Sequence, residues 1–242
     1  MPFTRRTALT GLGLLALGGC TSANRIAASA PPRSRPRLQN ATSGSWTYPT
    51  YYGPIYSEPF TIPAVPPGVV APQYWRQLVD DPTGEQPGTL VVDPDEKYLY
   101  LVQEGGQALR YGIGVGRQGF SWSGSARVQY KKQWPTWTPP REMIERQPEL
   151  EPYSAANGGM PPGLSNPLGA RALYLFQDGV DTLYRIHGSP EANSIGRAVS
   201  SGCIRLLNHE IIDLYSRVPD GTLVKVRPSR RQIETSSVMA AL

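Results

Sequence analysis

The sequence contains little cysteine, little histidine and little concentrated charge. Its 242 residues include only two cysteines, Cys20 and Cys203, which excludes a disulfide-rich scaffold. It has two histidines and neither a Cys-x-x-Cys nor a His-x-x-x-His pair, so the ligand spacing of a zinc site is missing and we expect neither a metal nor a cofactor. The 24 basic and 19 acidic residues are dispersed, without the concentrated basic stripe that nucleic-acid binding needs.

Long apolar runs and uninterrupted helix-forming runs are also missing. The apolar stretch at residues 8–17 is too short to span a bilayer, which needs about 20 apolar residues. Glycine and proline together supply 50 of the 242 residues, well above average usage, and both break helix interiors. A long helical bundle is therefore excluded, whereas a hydrophobic content of 39% is enough to build a folded core.

The first twenty residues have the pattern of an export signal. Arg5 and Arg6 precede the apolar stretch and small residues follow it, which is the order of a secretory signal. The arginine pair favours the twin-arginine route, and residues 17–20, Leu-Gly-Gly-Cys, are similar to a bacterial lipoprotein box. We therefore expect an exported protein of the periplasm or cell envelope, anchored to a membrane by a lipid on Cys20. An ordinary signal with an incidental cysteine is the alternative.

Composition divides the rest of the chain into three parts. Residues 21–87 are rich in proline, serine and tyrosine, which is typical of a semi-extended spacer, although the aromatics favour some packing against the domain. Residues 88–228 carry short β-prone runs separated by glycine and proline turns, and residues 229–242 form a tail. Within the domain, residues 134–169 are a long polar excursion, and excursions of that length are usually functional or mobile.

The β-prone runs predict a mainly β domain, a sandwich or open barrel with a few short helices. Residues 97–102 and 107–115 flank a Glu-Gly-Gly turn and predict a hairpin. A helix is predicted from His209 to about residue 218, with Asn208 as its N-cap and with His209 on its surface.

The residues with catalytic chemistry lie between His187 and Cys203, which are 16 positions apart. His187 ends a predicted strand, and Cys203 follows Ser200, Ser201 and Gly202. A neighbouring imidazole can take the proton of a thiol and hold the thiolate as an ion pair. Glycine beside a nucleophile gives a carbonyl substrate room and leaves backbone N–H groups free for an oxyanion hole. The alternative is that Cys203 is a small buried hydrophobe and His187 a satisfied core residue.

This region resembles the signature of the L,D-transpeptidase catalytic (YkuD) family, a histidine followed after a gap by Ser/Thr-His-Gly-Cys. Residues 186–189 read Ile-His-Gly-Ser and residues 200–205 read Ser-Ser-Gly-Cys-Ile-Arg. Supporting matches are Gly-Val-Gly-Arg at 114–117, Trp-Thr-Pro-Pro at 137–140 and Asn-Pro-Leu-Gly at 166–169. The resemblance covers roughly residues 88–226 and implies the fold of that catalytic domain. Ser201 stands where the family has a second histidine, so all base chemistry falls on His187.

The resemblance implies covalent acyl transfer on peptidoglycan stem peptides. Cys203 would attack the carbonyl of the third stem residue, next to a terminal D-amino acid, and the acyl group would pass to an amine. His187 would act as base and then as acid, with the Gly188 carbonyl fixing its tautomer. The N–H groups of Gly202 and Cys203 would stabilise the oxyanion. The protein is then expected to act as a monomer, and carbapenems are expected to acylate Cys203.

Three further residues are expected around the bound substrate, namely Arg205, Ser200 and Ser201. Arg205 would either orient a substrate carboxylate or brace the site through an ion pair, and the sequence alone leaves both roles open.

The predicted function has two alternatives. One is a hydrolase of the carboxypeptidase or endopeptidase type that uses the same Cys–His pair with water as the acceptor. The other is a non-catalytic lipoprotein that binds the cell wall.

Overall fold

The computed structural model of the chain describes residues 47–116, 122–200 and 203–240, with the backbone alone at residues 199, 200 and 238–240. The predicted export signal, Cys20 and the first part of the predicted spacer lie outside these ranges, as do Ser201 and Gly202. The described residues belong to one compact unit. None of its helices is long and apolar enough to cross a membrane.

In the described ranges, strands make up most of the regular structure. In chain order they are β1 (Gln77–Asp80), β2 (Leu90–Asp93), β3 (Tyr98–Val102), β4 (Gln107–Gly112), β5 (Val115–Gly116), β6 (Gly124–Gln133), β7 (Arg171–Gln177), β8 (Val180–Ser189), β9 (Ala198–Ser200), β10 (Ile204–Leu207) and β11 (Leu223–Val226). The helices are α1 (Arg141–Arg146), α2 (Asn208–Arg217) and α3 (Arg230–Ala240). The predicted mainly β class with a few short helices is confirmed.

Nine of the described strands form one mixed sheet in the order β1-β4-β3-β2-β11-β6-β7-β8-β10, and β5 and β9 form a separate parallel pair. Shortly after β4, Gly114 pairs with Arg205 of β10 through two backbone hydrogen bonds of 2.9 Å. Because β4 lies near one edge of the sheet and β10 forms the other, this contact curls the sheet towards closure. The domain therefore has the open-barrel character that the sequence predicts.

The main core is filled by side chains that alternate along the strands. Its fully buried members include Leu90, Val92, Leu173, Leu175, Ile186, Ile204 and Leu206. Helix α2 adds Ile211 and Leu214 to the same cluster and packs on β7, β8 and β10. Since a fully buried leucine or isoleucine is worth roughly 1.5–3 kcal/mol, this cluster holds α2 firmly behind the strands that carry His187 and Cys203.

The start of α2 differs from the sequence prediction. Asn208 is its first helical residue, and Leu207 is the N-cap, without a side-chain cap bond. The Asn208 Oδ1 atom instead accepts a hydrogen bond of 2.9 Å from the Ala170 N–H. His209, predicted on the helix surface, is buried, and its Nε2 lies 2.8 Å from the Gly53 carbonyl oxygen. Both predictions are wrong because segments distant in sequence engage these side chains, which a local capping rule does not see.

Residues 47–76 precede β1 and pack against the domain, and we call them the N-terminal strap. Its buried side chains Tyr52, Val65, Val70 and Trp75 share a second hydrophobic cluster with Ile195 and Leu207. The Arg76 Nε atom lies 3.4 Å from the Glu210 carboxylate of α2, and the same guanidinium also contacts Asp213. After the strap, β1 joins the sheet beside β4. The second half of the region predicted as a spacer is thus part of the folded unit.

The predicted polar excursion at residues 134–169 is closed at its base. Trp137 and Met160 pair through their backbones. The Asn166 side-chain amide donates hydrogen bonds of 3.0 Å to the carbonyls of Pro135, at the start of the excursion, and of Pro161, in its last third. These contacts fix the residues that lead into β7, and Pro167 among them reaches the candidate site.

Candidate active site

The parallel pairing of β8 with β10 determines where the candidate catalytic residues lie. Its register places Ile204 opposite Ile186 and Arg205 opposite His187. Cys203 immediately precedes the first residue of β10, so the same register places it beside Arg185. Two residues that are 16 positions apart in the sequence are therefore brought close together, His187 on β8 and Cys203 directly before β10.

Alternation of side chains along these strands puts the reactive residues on one face. Ile186 and Ile204 point into the main core and are fully buried. His187 and Arg205 each follow by one position and therefore face the opposite side. Arg185 and Cys203 lie two positions before them and face that side as well. The shared face therefore carries a histidine, a cysteine and two arginines. A cysteine with a neighbouring histidine is the pair that nucleophilic catalysis by a thiol uses, and nearby positive charge favours the thiolate.

His187 is only 3% exposed and has a defined tautomer. Its Nδ1 atom lies 2.6 Å from the Gly188 carbonyl oxygen, which can only accept, so Nδ1 carries the hydrogen and Nε2 is left as the basic nitrogen. Burial lowers the pKa of His187 to about 4, and the charges of Arg205 and Arg185 act in the same direction, against the carbonyls of Gly188 and Pro167. The imidazole is therefore neutral at physiological pH.

Cys203 is half-buried, and burial raises the pKa of its thiol above the ordinary value. The backbone of Arg185 and the positive charges of Arg185 and Arg205 oppose that shift, because they favour the thiolate. The pKa of the Cys203 thiol is raised overall, so a preformed thiolate–imidazolium pair, which the sequence suggests, is not favoured. A neutral thiol beside a neutral imidazole is favoured at rest, and the arginines stabilise negative charge as it develops on sulfur.

Gly188 is required by packing next to the base. A Cβ atom on this residue would lie 2.3 Å from Asn208 Oδ1 and 2.9 Å from Ile211 Cγ2. Real Cβ contacts are not that short, so a side chain here would push α2 away from β8. Gly188 thus has two roles beside His187, since its carbonyl sets the tautomer and its missing side chain lets the helix approach.

Arg205 forms an ion pair, which is one of the two roles that the sequence allows for it. Its Nη1 atom lies 2.8 Å from Glu191 Oε2, and Glu191 belongs to the loop that follows β8. The Glu191 side chain is 62% exposed, whereas that of Arg205 is largely buried. An ion pair with an exposed carboxylate contributes little, because solvent screens it.

The structure describes only some of the remaining predicted site residues. The backbone of Ser200 ends β9, which pairs with β5, and its side chain is not described. Ser201 and Gly202 lie outside the described residues, so their predicted roles stay predictions. Within the described ranges, no group of three or more His, Cys, Asp or Glu side chains is arranged to hold a metal ion.

Sequence reasoning did not single out Arg185, Asp181 or Tyr174. Two nitrogens of the Arg185 guanidinium lie 2.7 and 2.8 Å from the two Asp181 carboxylate oxygens, and its centre is 4.4 Å from the centroid of the Tyr174 ring. These contacts hold a fixed positive charge beside His187 and Cys203. The strand period provides the signal that was missed, since a residue two positions before His187 must share its face.

We expect Cys203 to react as a neutral pair with His187. In a Cys20→Ser background, alkylation of Cys203 by iodoacetamide should accelerate with pH through a midpoint above the ordinary thiol pKa of about 8.5. The sign follows from burial, which raises the pKa of Cys203 and lowers that of His187. His187→Gln should leave the midpoint in place, because a neutral imidazole contributes no charge. A midpoint below about 7 that rises in His187→Gln would instead show an ion pair.

The sequence matches one known protein family over most of the described domain. The model of the L,D-transpeptidase catalytic domain (YkuD) matches residues 87–226, more than half of the chain. The chain belongs to this family. The match includes β2 to β11 and both His187 and Cys203, and it leaves out the N-terminal strap.

Two curated L,D-transpeptidases show the extent of the similarity. Probable L,D-transpeptidase YbiS of Escherichia coli strain K12 is 37% identical over 142 residues, which are 56% of this chain and 43% of YbiS. Probable L,D-transpeptidase ErfK/SrfK of the same strain is 34% identical over 146 residues, which are 57% of this chain and 43% of that protein. The match thus spans less than half the length of these relatives.

A solved structure is also similar to this L,D-transpeptidase family member. A crystal structure from Brucella melitensis, described as a probable carnitine operon oxidoreductase, is 46% identical. The alignment covers 63% of this chain and 93% of that one, with a TM-score of 0.45. This description belongs to the Brucella protein.

Proposed function

We propose that the chain is a cysteine acyltransferase, an L,D-transpeptidase that acts on peptidoglycan stem peptides through a Cys203 acyl-enzyme. The observation that carries this proposal is the register of β8 and β10, which puts His187 and Cys203 on one face within the matched domain. The buried His187 with its Nδ1 hydrogen on Gly188 supports the role of base. The positive charges of Arg185 and Arg205 support the role of Cys203 as nucleophile.

The first half-reaction forms a thioester. His187 Nε2 takes the proton from the Cys203 thiol as the sulfur attacks the carbonyl carbon of the third stem residue. The tetrahedral oxyanion is stabilised by the N–H groups of Gly202 and Cys203. The carbon–nitrogen bond then breaks, and the protonated His187 returns its proton to the departing amine of the terminal D-amino acid. His187 is neutral again at the end of this step.

The second half-reaction transfers the acyl group to an acceptor amine. The amine attacks the thioester carbonyl and gives its proton to His187, and the carbon–sulfur bond breaks. The thiolate that leaves takes the proton back from His187, so Cys203 is restored as a thiol. Arg205 orients a carboxylate of the substrate in place of Glu191, and Ser200 and Ser201 lie around the bound peptide.

This activity requires the protein to be outside the cytoplasm, where peptidoglycan is found. The pattern of Arg5, Arg6 and the apolar residues 8–17 supports export, and Cys20 supports a lipid anchor on a membrane of the cell envelope. The Pro-rich residues after Cys20 act as a spacer that lets the domain reach the wall. We propose that the domain works as a monomer, since the mechanism described above calls on no residue of a second copy.

Mass spectrometry of the protein treated with a carbapenem tests the proposal. Opening of the β-lactam ring by Cys203 adds the whole inhibitor without a leaving group, so the protein mass should rise by the mass of one carbapenem. Peptide mapping should place the adduct on Cys203, and Cys203→Ala should show no shift. An unmodified wild-type protein, or an adduct elsewhere in the chain, would overturn the proposed acyl-enzyme.

A further inference from the structure

An apolar cavity of about 150 Å³ lies at the carboxyl ends of β8 and β10. One wall is residues 62–66 of the N-terminal strap, and Leu164 of the excursion forms part of another. The floor includes Leu207, and the loop after β8 contributes Pro190 and Ala192. The strap lies outside the region that matches the family model, so this cavity is a feature that the catalytic domain alone does not contain.

The strand register places this cavity next to the catalytic face. Ser189 lines the cavity and lies two residues after His187, and Leu207 lies two residues after Arg205. Ser189 and Leu207 are themselves partners in the parallel ladder. They therefore share the face of His187 and Arg205, displaced along the strands by about 7 Å. The cavity therefore lies on the same face as His187, one step further along the strands.

The lining of the cavity selects for an apolar group. Its polar lining residues already have partners within the protein: Ser189 Oγ accepts from the Glu191 N–H at 3.1 Å, and Asn208 Oδ1 accepts from the Ala170 N–H at 2.9 Å. The third, His209, is engaged through Nε2 by the strap. No charged side chain lines the cavity. An apolar cavity of this volume accepts a group about the size of benzene.

We propose that this cavity binds the side chain of the acyl acceptor, an amino acid with a large apolar side chain of leucine to phenylalanine size. This proposal rests on the proposed function, because it concerns the second half-reaction. The acceptor amine must lie at His187 to give up its proton, and Arg205, opposite His187 in the ladder, is placed to hold the acceptor carboxylate. The side chain then extends along the same face towards Ser189 and Leu207.

The packing of the strap fixes the shape of this cavity. Val65 of the strap is buried in the cluster that contains Leu207 and Ile195. Strap and loop thus hold two walls of the cavity at a fixed separation. Ala64, next to Val65, is exposed and lines the cavity, so a larger side chain there would fill the space without disturbing the buried cluster.

Acceptor competition measures this selectivity. The purified protein is acylated by a tetrapeptide donor and offered D-alanine, D-leucine or D-phenylalanine, and the products are quantified by mass spectrometry. We expect kcat/KM for D-leucine and D-phenylalanine to exceed that for D-alanine by about tenfold or more, and Ala64→Phe to lower that ratio about tenfold. Val69→Phe is the matched control, since Val69 is an exposed strap residue that does not line the cavity, and it should keep the wild-type ratio.

A binding measurement separates this proposal from the acyl-transfer mechanism. In Cys203→Ala, D-leucine should shift the methyl NMR signals of Val65, Leu164 and Leu207, and Ala64→Phe should abolish those shifts. A wild-type enzyme with no preference for the larger acceptors, or a preference that survives in Ala64→Phe, would overturn the pocket assignment. Failure of carbapenem acylation would overturn the proposed function instead, and the NMR shifts would still report on the cavity.

Discussion

Cys203→Ala is expected to reduce acyl transfer from a tetrapeptide donor by at least about 10⁴-fold. The variant lacks the sulfur that forms the thioester, and neither His187 nor the arginines can substitute for it, because they act on the nucleophile and its charge. The amount of D-amino acid released and of acceptor product formed, followed by mass spectrometry, measures the loss. His187→Gln should give a comparable loss, since base and nucleophile act as one unit.

The fold of Cys203→Ala should be intact. Cys203 is half-buried and small, so replacing its CH2SH side chain by a methyl group removes little packing. The urea midpoint and far-UV circular dichroism should therefore match those of the wild type. Cys203→Ser keeps the shape and tests nucleophilicity alone, because a hydroxyl is a much weaker nucleophile than a thiol at neutral pH. Turnover within tenfold of the wild type in both variants would contradict the role of Cys203.

Glu58→Ala is expected to destabilise the folded domain by about 3–5 kcal/mol. Glu58 of the N-terminal strap lies 2.6 and 2.9 Å from two nitrogens of Arg171 and accepts a third hydrogen bond of 2.7 Å from Trp134 Nε1. The Arg171 and Glu58 side chains are only 8% and 11% exposed. Removing the carboxylate leaves a buried guanidinium and a buried indole N–H without their partner, and urea denaturation would measure the cost.

The direction of the pKa shift of Glu58 agrees with this expectation. Burial raises the pKa of Glu58, but the hydrogen bonds and the charge of Arg171, together with the bond from Trp134, outweigh it and hold the pKa below its ordinary value. A lowered carboxyl pKa means stability that is present above the unfolded pKa and is lost as the pH falls. The loss in Glu58→Ala should therefore be larger at pH 7 than at pH 3.

The excursion provides a matched control for this experiment. Arg141 and Glu145 also form an ion pair, with an Nε to Oε1 distance of 3.0 Å, but their side chains are 88% and 61% exposed. Glu145→Ala should cost less than about 1 kcal/mol, because solvent screens an exposed pair. The double variant Glu58→Gln/Arg171→Met should recover much of the lost stability, since it leaves no unpaired charge. Equal effects of Glu58→Ala and Glu145→Ala would contradict a structural role for the strap.

Much of the domain follows from local patterns. The alternating residues of β3 and the Glu-Gly-Gly turn that precedes β4 predict a hairpin, and the two strands are paired in the structure. The Pro-Asp-Gly run after α2 marks where the chain turns back into β11. Such signals are readable because they depend on residues close in sequence. Asn208 and His209 show the limit of such local rules, which predict an exposed start of the helix. In the structure, Asn208 instead contacts the backbone of Ala170, and His209 contacts that of Gly53.

The sequence by itself determined the chemistry available to this protein. It places one of its two cysteines, Cys203, after the strand-end His187 in a signature that assigns the chain to a family, and strand alternation already implies that His187 and Arg185 share a face. Only the tertiary structure decided how that chemistry is arranged. The parallel register of β8 and β10 sets the alignment of Cys203 with His187, burial makes that pair neutral, and the strap builds an apolar cavity beside it. These features depend on contacts between distant segments, because pairing register and desolvation are properties of packed elements.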